Sequence, residues 1–218
     1  MTGPVKRSYD SSRRRDQARR TRARVVASAT ELFVDRGYGA TSIAAIADHA
    51  GVSPQTVYAA FGTKAALLGE AVGVAMAGDD EPVAIMDRPE IQAALQVDDP
   101  RRAAEAFAGH AAALLERAGR ILHAADAAAE QDPDLAALWK QGHTHRLTDM
   151  RRVAEAFDAQ GLLRPELGAE AVADALWALA SPDAYRSFTV IRGWTTRRYE
   201  RWLAAAVQAL LVPPAAAG

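Results

Sequence analysis

The sequence contains no cysteine. That absence excludes a disulfide framework, a thiol nucleophile and a cysteine-ligated zinc site, and it suits the reducing cytoplasm, where the protein is expected to reside. No stretch approaches the roughly 18 consecutive apolar residues that cross a bilayer, so no membrane partner is expected. The N-terminus carries charge without an apolar segment, which is not the pattern of a secretory signal. Alternation of apolar and polar residues, the mark of a half-buried strand, is missing as well. No HExxH, Walker, dinucleotide-binding or nucleophile-elbow motif occurs, so neither a catalytic residue nor a cofactor is expected.

What is present is an apolar half: 50% of 218 residues, enough for a core in one large or two modest domains. The formal net charge of −1 hides a division of charge along the chain. Residues 1–64 hold eleven Lys/Arg against five Asp/Glu, and residues 65–218 hold fifteen against twenty-two. A basic head on an acidic body points to a polyanion bound at one end. The bland alternative is a solvated, unstructured tail.

Residues 1–15, with Lys6, Arg7 and Arg13 to Arg15, have no apolar period and read as a flexible basic arm. From about Asp16 a helical period takes over through Val25 or Val26, Ala29, Leu32 and Phe33, and Gly37 and Gly39 end it. Short helices are expected over Ser42–Ala50 and Pro54–Phe61, then a connecting helix from Lys64 to about Met76 or 77. Residues 78–100, broken by Gly78, Pro82, Pro89 and Pro100, read as a loop with one short helix near Ile91–Leu95. Further helices are expected near 101–117, 119–130, 134–160, 168–180, 183–192 and 196–211, separated at glycines and prolines, with a frayed Pro-Pro-Ala-Ala-Ala-Gly tail. The fold class is therefore all-α: residues 16–64 as a helix-turn-helix domain and 78–218 as an effector-binding and dimerisation domain.

The chemistry concentrates in residues 41–64. Ile43, Ile46 and Ala47 make one face of a short helix, and the small Ala47 lets a second helix cross closely. Gly51 stands where the turn between crossed helices needs positive φ. Ser53 is a good N-cap, and Pro54 at the first helical position loses no hydrogen bond. Val57 and Phe61 turn the second helix onto the core, which leaves Gln55, Thr56, Ala59 and Ala60 facing outward. That is the layout of a helix whose N-terminal turn enters a major groove. Gln55 suits a bidentate contact to adenine, and Thr56 or Ala59 suits a thymine methyl. Tyr58, Thr41 or Ser42, and Lys64 are placed for phosphates, with backbone amides assisting. Arg19, Arg20, Arg22 and Arg24 are placed to bind backbone or reach a minor groove. The plain alternative is a helical hairpin whose polar residues are merely solvated.

These residues resemble the TetR family of bacterial transcriptional regulators. The resemblance covers residues 20–70. It rests on Glu-Leu-Phe at 31–33, Arg-Gly-Tyr at 36–38, the run Thr-Ser-Ile-Ala-Ala-Ile-Ala-Asp-His-Ala-Gly-Val-Ser at 41–53, and Val-Tyr-x-x-Phe-x-x-Lys-x-x-Leu from Val57 to Leu67. It implies that Thr41, Tyr58 and Lys64 clamp phosphates, that Gln55 and Thr56 read bases, that the protein is a homodimer on double-stranded operator DNA, and that a small-molecule effector lowers its DNA affinity. Repression is the mode the resemblance implies. The sequence departs from it at Ala59 and Ala60, where an aromatic or histidine is common, and at Thr63, where serine is usual.

In the C-terminal part, Tyr199, Trp202, Leu203, Ala206 and Leu210 form an apolar stripe. Residues 168–180 are apolar on two sides, with Val172, Leu176 and Leu179 on one and Ala173 and Trp177 on the other. Two apolar sides need two partners, so the dimer bundle is expected within 168–211, the alternative being a core helix of a monomer. For the effector, polar groups on apolar faces are the signal. Trp139, His143 and Met150 share a stripe with Phe157, and His110 lies with Phe107 and Leu114, so these and Trp177 are the candidate ligand residues. A hydrogen-bonded core histidine is the competing reading. Two other functions stay open: a regulator answering a protein partner or no ligand, and a metal-dependent enzyme using His145 and Asp149 with His110, His123 or His143.

Overall fold

The computed structural model describes residues 7–79, 81, 83–130 and 132–212. The first six residues of the expected arm and the expected frayed tail lie outside the described residues. By their internal contacts the residues form two compact units, one ending at Gly73 and the other beginning at Val74. Among the described residues the architecture is all-α, without a β-strand.

The N-terminal unit opens with α1 (Arg7–Arg36). Helix therefore covers residues 7–15, where a flexible arm was expected. Lack of an apolar period removes the reason to pack but not the capacity to wind: arginine is a strong helix former, and the buried turn at Val25, Val26, Ala29, Leu32 and Phe33 supplies the nucleus on which the polar end extends. In α2 (Ile43–Ala50), Ser42 Oγ accepts from the Ala45 amide at 3.1 Å, and Gly51 at φ 66° ends the helix in the left-handed region. In α3 (Pro54–Phe61), Ser53 Oγ accepts from the Thr56 amide at 3.2 Å. Ile43, Ile46, Ala47, Val57 and Phe61 are buried, as the sequence pattern requires. The fourth helix, α4 (Lys64–Ala77), contributes Ala65, Leu67, Leu68 and Ala71 to burial.

The C-terminal unit begins with a 3-10 turn (Ile85–Asp87) and α5 (Pro89–Ala94), then α6 (Pro100–Ala129), α7 (Pro133–Ala159), α8 (Ala169–Leu179), α9 (Pro182–Arg186), a π-turn (Ser187–Ile191) and α10 (Thr196–Gln208). On α6, Ala104, Ala108 and Ala112 recur every four residues and are buried; on α10, Tyr199, Leu203 and Val207 do the same. Small side chains on one helix receive large ones from the other, so α6 and α10 form the main helix pair of the core. Val153, Ala154 and Phe157 of α7 and Val172, Ala173 and Leu176 of α8 complete it.

Three expectations change here. The break expected at Gly119 does not occur, and α6 runs through it. The glycine is there for a close neighbour: an added Cβ would stand 3.4 Å from a ring carbon of Tyr185. The helix expected over 183–192 is a five-residue helix followed by the π-turn. Finally, both apolar sides of α8 find partners inside the chain, in α7 and α10, with Ala173 fully buried. Two-sided apolarity of this helix is therefore not by itself a sign of a second subunit.

Candidate nucleic-acid interface and ligand cleft

Helix α3 is fixed from beneath by Val57 and Phe61 and exposed above. Ser53, Gln55, Thr56, Tyr58, Ala59 and Ala60 are all exposed, Tyr58 to 54%. The side chains of Gln55 and Tyr58 make no hydrogen bond or ion pair within the chain among the described residues. Ser53 and Thr56 share a hydroxyl–hydroxyl contact of 2.9 Å beside the capping bond, so the first turn of α3 is rigid and its polar atoms converge. Ser42 is exposed as well and keeps its hydroxyl proton after capping α2. On α1, Arg19, Arg20 and Arg24 are exposed.

Three residues expected at this surface are engaged elsewhere. Thr41 is 1% exposed, and its hydroxyl donates to the Leu32 carbonyl at 3.1 Å and the Gly37 carbonyl at 2.8 Å. It locks the end of α1 to the start of α2. Thr41→Val is expected to lower stability by about 1–2 kcal/mol through carbonyls left without a donor. Thermal unfolding reads this; an unchanged Tm with weakened DNA binding would return Thr41 to phosphate duty. Lys64 Nζ donates to the Tyr38 carbonyl at 2.9 Å and the Thr41 carbonyl at 3.0 Å, and lies 3.9 Å from the Tyr38 ring centroid. Arg22 forms a two-pronged ion pair with Glu70, donates to the Ala60 carbonyl at 2.8 Å, and lies over the Phe61 ring. Both cations tie helices together. The sequence could not show this, because the carbonyls they serve lie 23 to 38 residues away.

In the C-terminal unit a cleft of about 230 Å3 opens between α6, α7 and α8 and the start of α9. It brings together Trp139, His143 and Trp177 as the sequence reading expected. His143 meets Trp139 edge-on at 5.0 Å and Trp177 at 5.9 Å. Phe107, Leu114 and Met150 are not at the cleft; they pack against the α6–α7–α8–α10 core. His110 is exposed, with Nδ1 on the Ala106 carbonyl at 2.8 Å, the bond of a solvated helix surface. Among the described residues no three metal-binding side chains gather.

The cleft also has residues the sequence reading passed over. Arg146, three residues beyond His143, places its guanidinium 4.3 Å over the Trp177 ring and donates from Nη1 to the Trp177 carbonyl at 2.8 Å and the Ala180 carbonyl at 3.4 Å. Burial lowers its pKa to about 10, against a weaker raising effect of Asp183, and it stays charged at neutral pH. Trp177 Nε1 is buried without a hydrogen-bond partner. Asp126, His123 and Asp183 stand exposed at the rim. The signal for Arg146 was its position on the stripe of Trp139 and His143, at i+7 and i+3.

Residues 25–71 match the family of bacterial regulatory proteins described as the tetR family. No curated protein matches the sequence. Among solved structures, the chain is similar to a Mesorhizobium loti protein assigned to the TetR-family transcriptional regulators, with 22% identity, 88% of this chain and 96% of that chain covered, and a TM-score of 0.68. It is also similar to NalD, the secondary repressor of the MexAB-OprM multidrug efflux pump of Pseudomonas aeruginosa, with 21% identity, 89% and 97% covered, and a TM-score of 0.66. A third is a protein from Saccharomonospora viridis, assigned as a transcriptional regulator and solved in complex with choline, with 20% identity, 88% and 97% covered, and a TM-score of 0.66. The chain thus has the TetR-type fold, an N-terminal helix-turn-helix domain followed by an all-helical C-terminal domain.

Proposed function

We propose that the protein is a sequence-specific DNA-binding transcription regulator, a homodimer that represses from a palindromic operator and is released by a small molecule. The observation that carries this reading is the first turn of α3: Ser53, Gln55 and Thr56 stand exposed together on a helix held from behind by Val57 and Phe61. Gln55 reads an adenine edge and Thr56 a neighbouring base, while Tyr58 and Ser42 hold phosphates. Arg19, Arg20 and Arg24 add salt-sensitive backbone affinity along the polar end of α1. No single helix among the described residues is long and apolar enough to cross a membrane, in keeping with a protein that works on DNA in the cytoplasm.

Selection from a random DNA library at two salt concentrations tests the reading. A recovered pseudo-palindrome supports a dimeric reader. Recovery of nothing but salt-sensitive, unspecific binding overturns it.

The dimer contact is placed at the π-turn after α9. Val190 and Ile191 are 69% and 67% exposed there, an apolar pair that a monomer would leave in water. A symmetric contact through them closes as a dimer. Val190→Glu with Ile191→Glu is expected to shift the protein to monomer at micromolar concentration in analytical ultracentrifugation. A dimer of undiminished affinity would move the interface elsewhere.

The effector is assigned to the cleft at Trp139, His143 and Trp177. Support comes from the mixture of ring surface with a few polar side chains and one unsatisfied buried donor, Trp177 Nε1, which is the make-up of a small-molecule site. The Saccharomonospora viridis structure carries a small molecule on a related fold.

A further inference from the structure

The deep part of the cleft is rich in hydrogen-bond donors and poor in acceptors. Arg146 spends Nη1 on the two carbonyls at the end of α8. No carboxylate forms an ion pair with it among the described residues; Asp183 is felt only at longer range. Trp177 Nε1, on the same wall, is buried without an acceptor. His143 lies between the two tryptophans, and its ring makes no hydrogen bond among the described residues. A buried donor without an acceptor is costly, and a half-buried guanidinium without a counter-charge in contact adds to that cost.

The carboxylates of the site, Asp126 and Asp183, are exposed at its rim, where water screens them. The face of Trp177 is not available to a foreign cation either. Arg146 already covers the face of Trp177, and a second positive charge there would meet it at short range. The carbonyl end of α8 carries a negative partial charge of about half a unit, less than the full positive charge of the guanidinium that caps it. The sign of the charge at depth is therefore positive.

We infer that the cleft binds a small organic acid, its carboxylate paired to the guanidinium of Arg146 and its flat apolar body lying against Trp139 and His143. This rests on the reading of the cleft as the effector site and adds the ligand class. Arginine offers a carboxylate two parallel N–H bonds, the geometry that Nε and Nη2 still have to give. At about 230 Å3 the cleft falls short of the ordinary ligand pockets of roughly 300–1,000 Å3, so a single-ring acid fits its scale.

Benzoate, benzyl alcohol and benzylamine share one ring and differ in charge, and titration of the full-length protein with each by calorimetry tests the inference. Benzoate is expected to bind at least about tenfold more tightly than the alcohol or the amine. Arg146→Gln should abolish that preference. Because Arg146 also caps α8, Arg146→Lys provides the second variant: it keeps the charge and a reach to the carbonyls, and should retain part of the preference with unchanged helicity. Equal affinity for benzoate and benzyl alcohol, tighter binding of benzylamine, or no benzoate binding at millimolar concentration overturns the inference. Operator selection, run without any acid, separates the two readings. An operator recovered by a protein that ignores benzoate removes the ligand class alone. Benzoate binding by a protein that selects no operator leaves the cleft assignment standing and removes the regulator.

Discussion

Tyr199→Ala is expected to lower the stability of the C-terminal unit by about 3–5 kcal/mol, the range for deleting a buried aromatic ring. Tyr199 is fully buried, and its ring meets Tyr185 at 5.1 Å, Trp202 at 5.6 Å and Phe188 at 6.0 Å. Its hydroxyl donates to the Leu179 carbonyl at 2.8 Å, near the end of α8. Removing that hydroxyl alone in Tyr199→Phe is expected to cost about 1–2 kcal/mol, because one carbonyl loses its donor while the packing stays. Urea denaturation distinguishes the two; equal losses would put the hydroxyl, and not the ring, at the centre of the core. Burial raises the Tyr199 pKa above its ordinary 10.0, with Tyr185 adding to the shift. A raised pKa means stability that is fully present below pH 10 and falls as the pH climbs beyond it, since the unfolded chain gives up the proton first.

Gln55→Ala is expected to reduce discrimination between selected operator and random DNA by about 5- to 150-fold, the worth of one bidentate base contact at about 1–3 kcal/mol. Its Tm should stay at the wild-type value, because Gln55 serves no contact of the fold among the described residues. Competition gel shifts measure the ratio. A wild-type ratio would remove Gln55 from the reading of bases and shift that role to Thr56 or to residues of α1.

The helix-turn-helix was legible because each of its boundaries is set by a residue with a local job. Ser42 and Ser53 cap, Gly51 and Gly62 take positive φ at 66° and 74°, and Pro54 opens a helix. Such jobs depend on neighbours within four residues, which a sequence displays. The scaffold contacts of Lys64 and Arg22 were not legible, for the opposite reason. Each is a polar residue at the right place for DNA, yet it also serves a carbonyl or carboxylate brought close only by the fold. The same distinction divides the cleft. Trp139 and His143 share one helix and were found together, whereas Arg146 acquires its meaning from carbonyls 31 and 34 residues away. Gly119 shows that even a punctuating residue yields to tertiary demand, because Tyr185 needs the space a side chain would fill.

The division of labour within α3 has an evolutionary consequence. Val57 and Phe61 bury the inner face of the helix and Arg22 holds the Ala60 carbonyl, while the side chains of Gln55, Tyr58, Ala59 and Ala60 stand exposed. Substitutions at those four positions can accumulate with little penalty to folding. Under the proposed function, a duplicated copy of the gene is free to drift toward a new operator one exposed residue at a time. Thr41, Lys64 and Arg22, whose loss would loosen the scaffold, are the positions at which such drift is stopped.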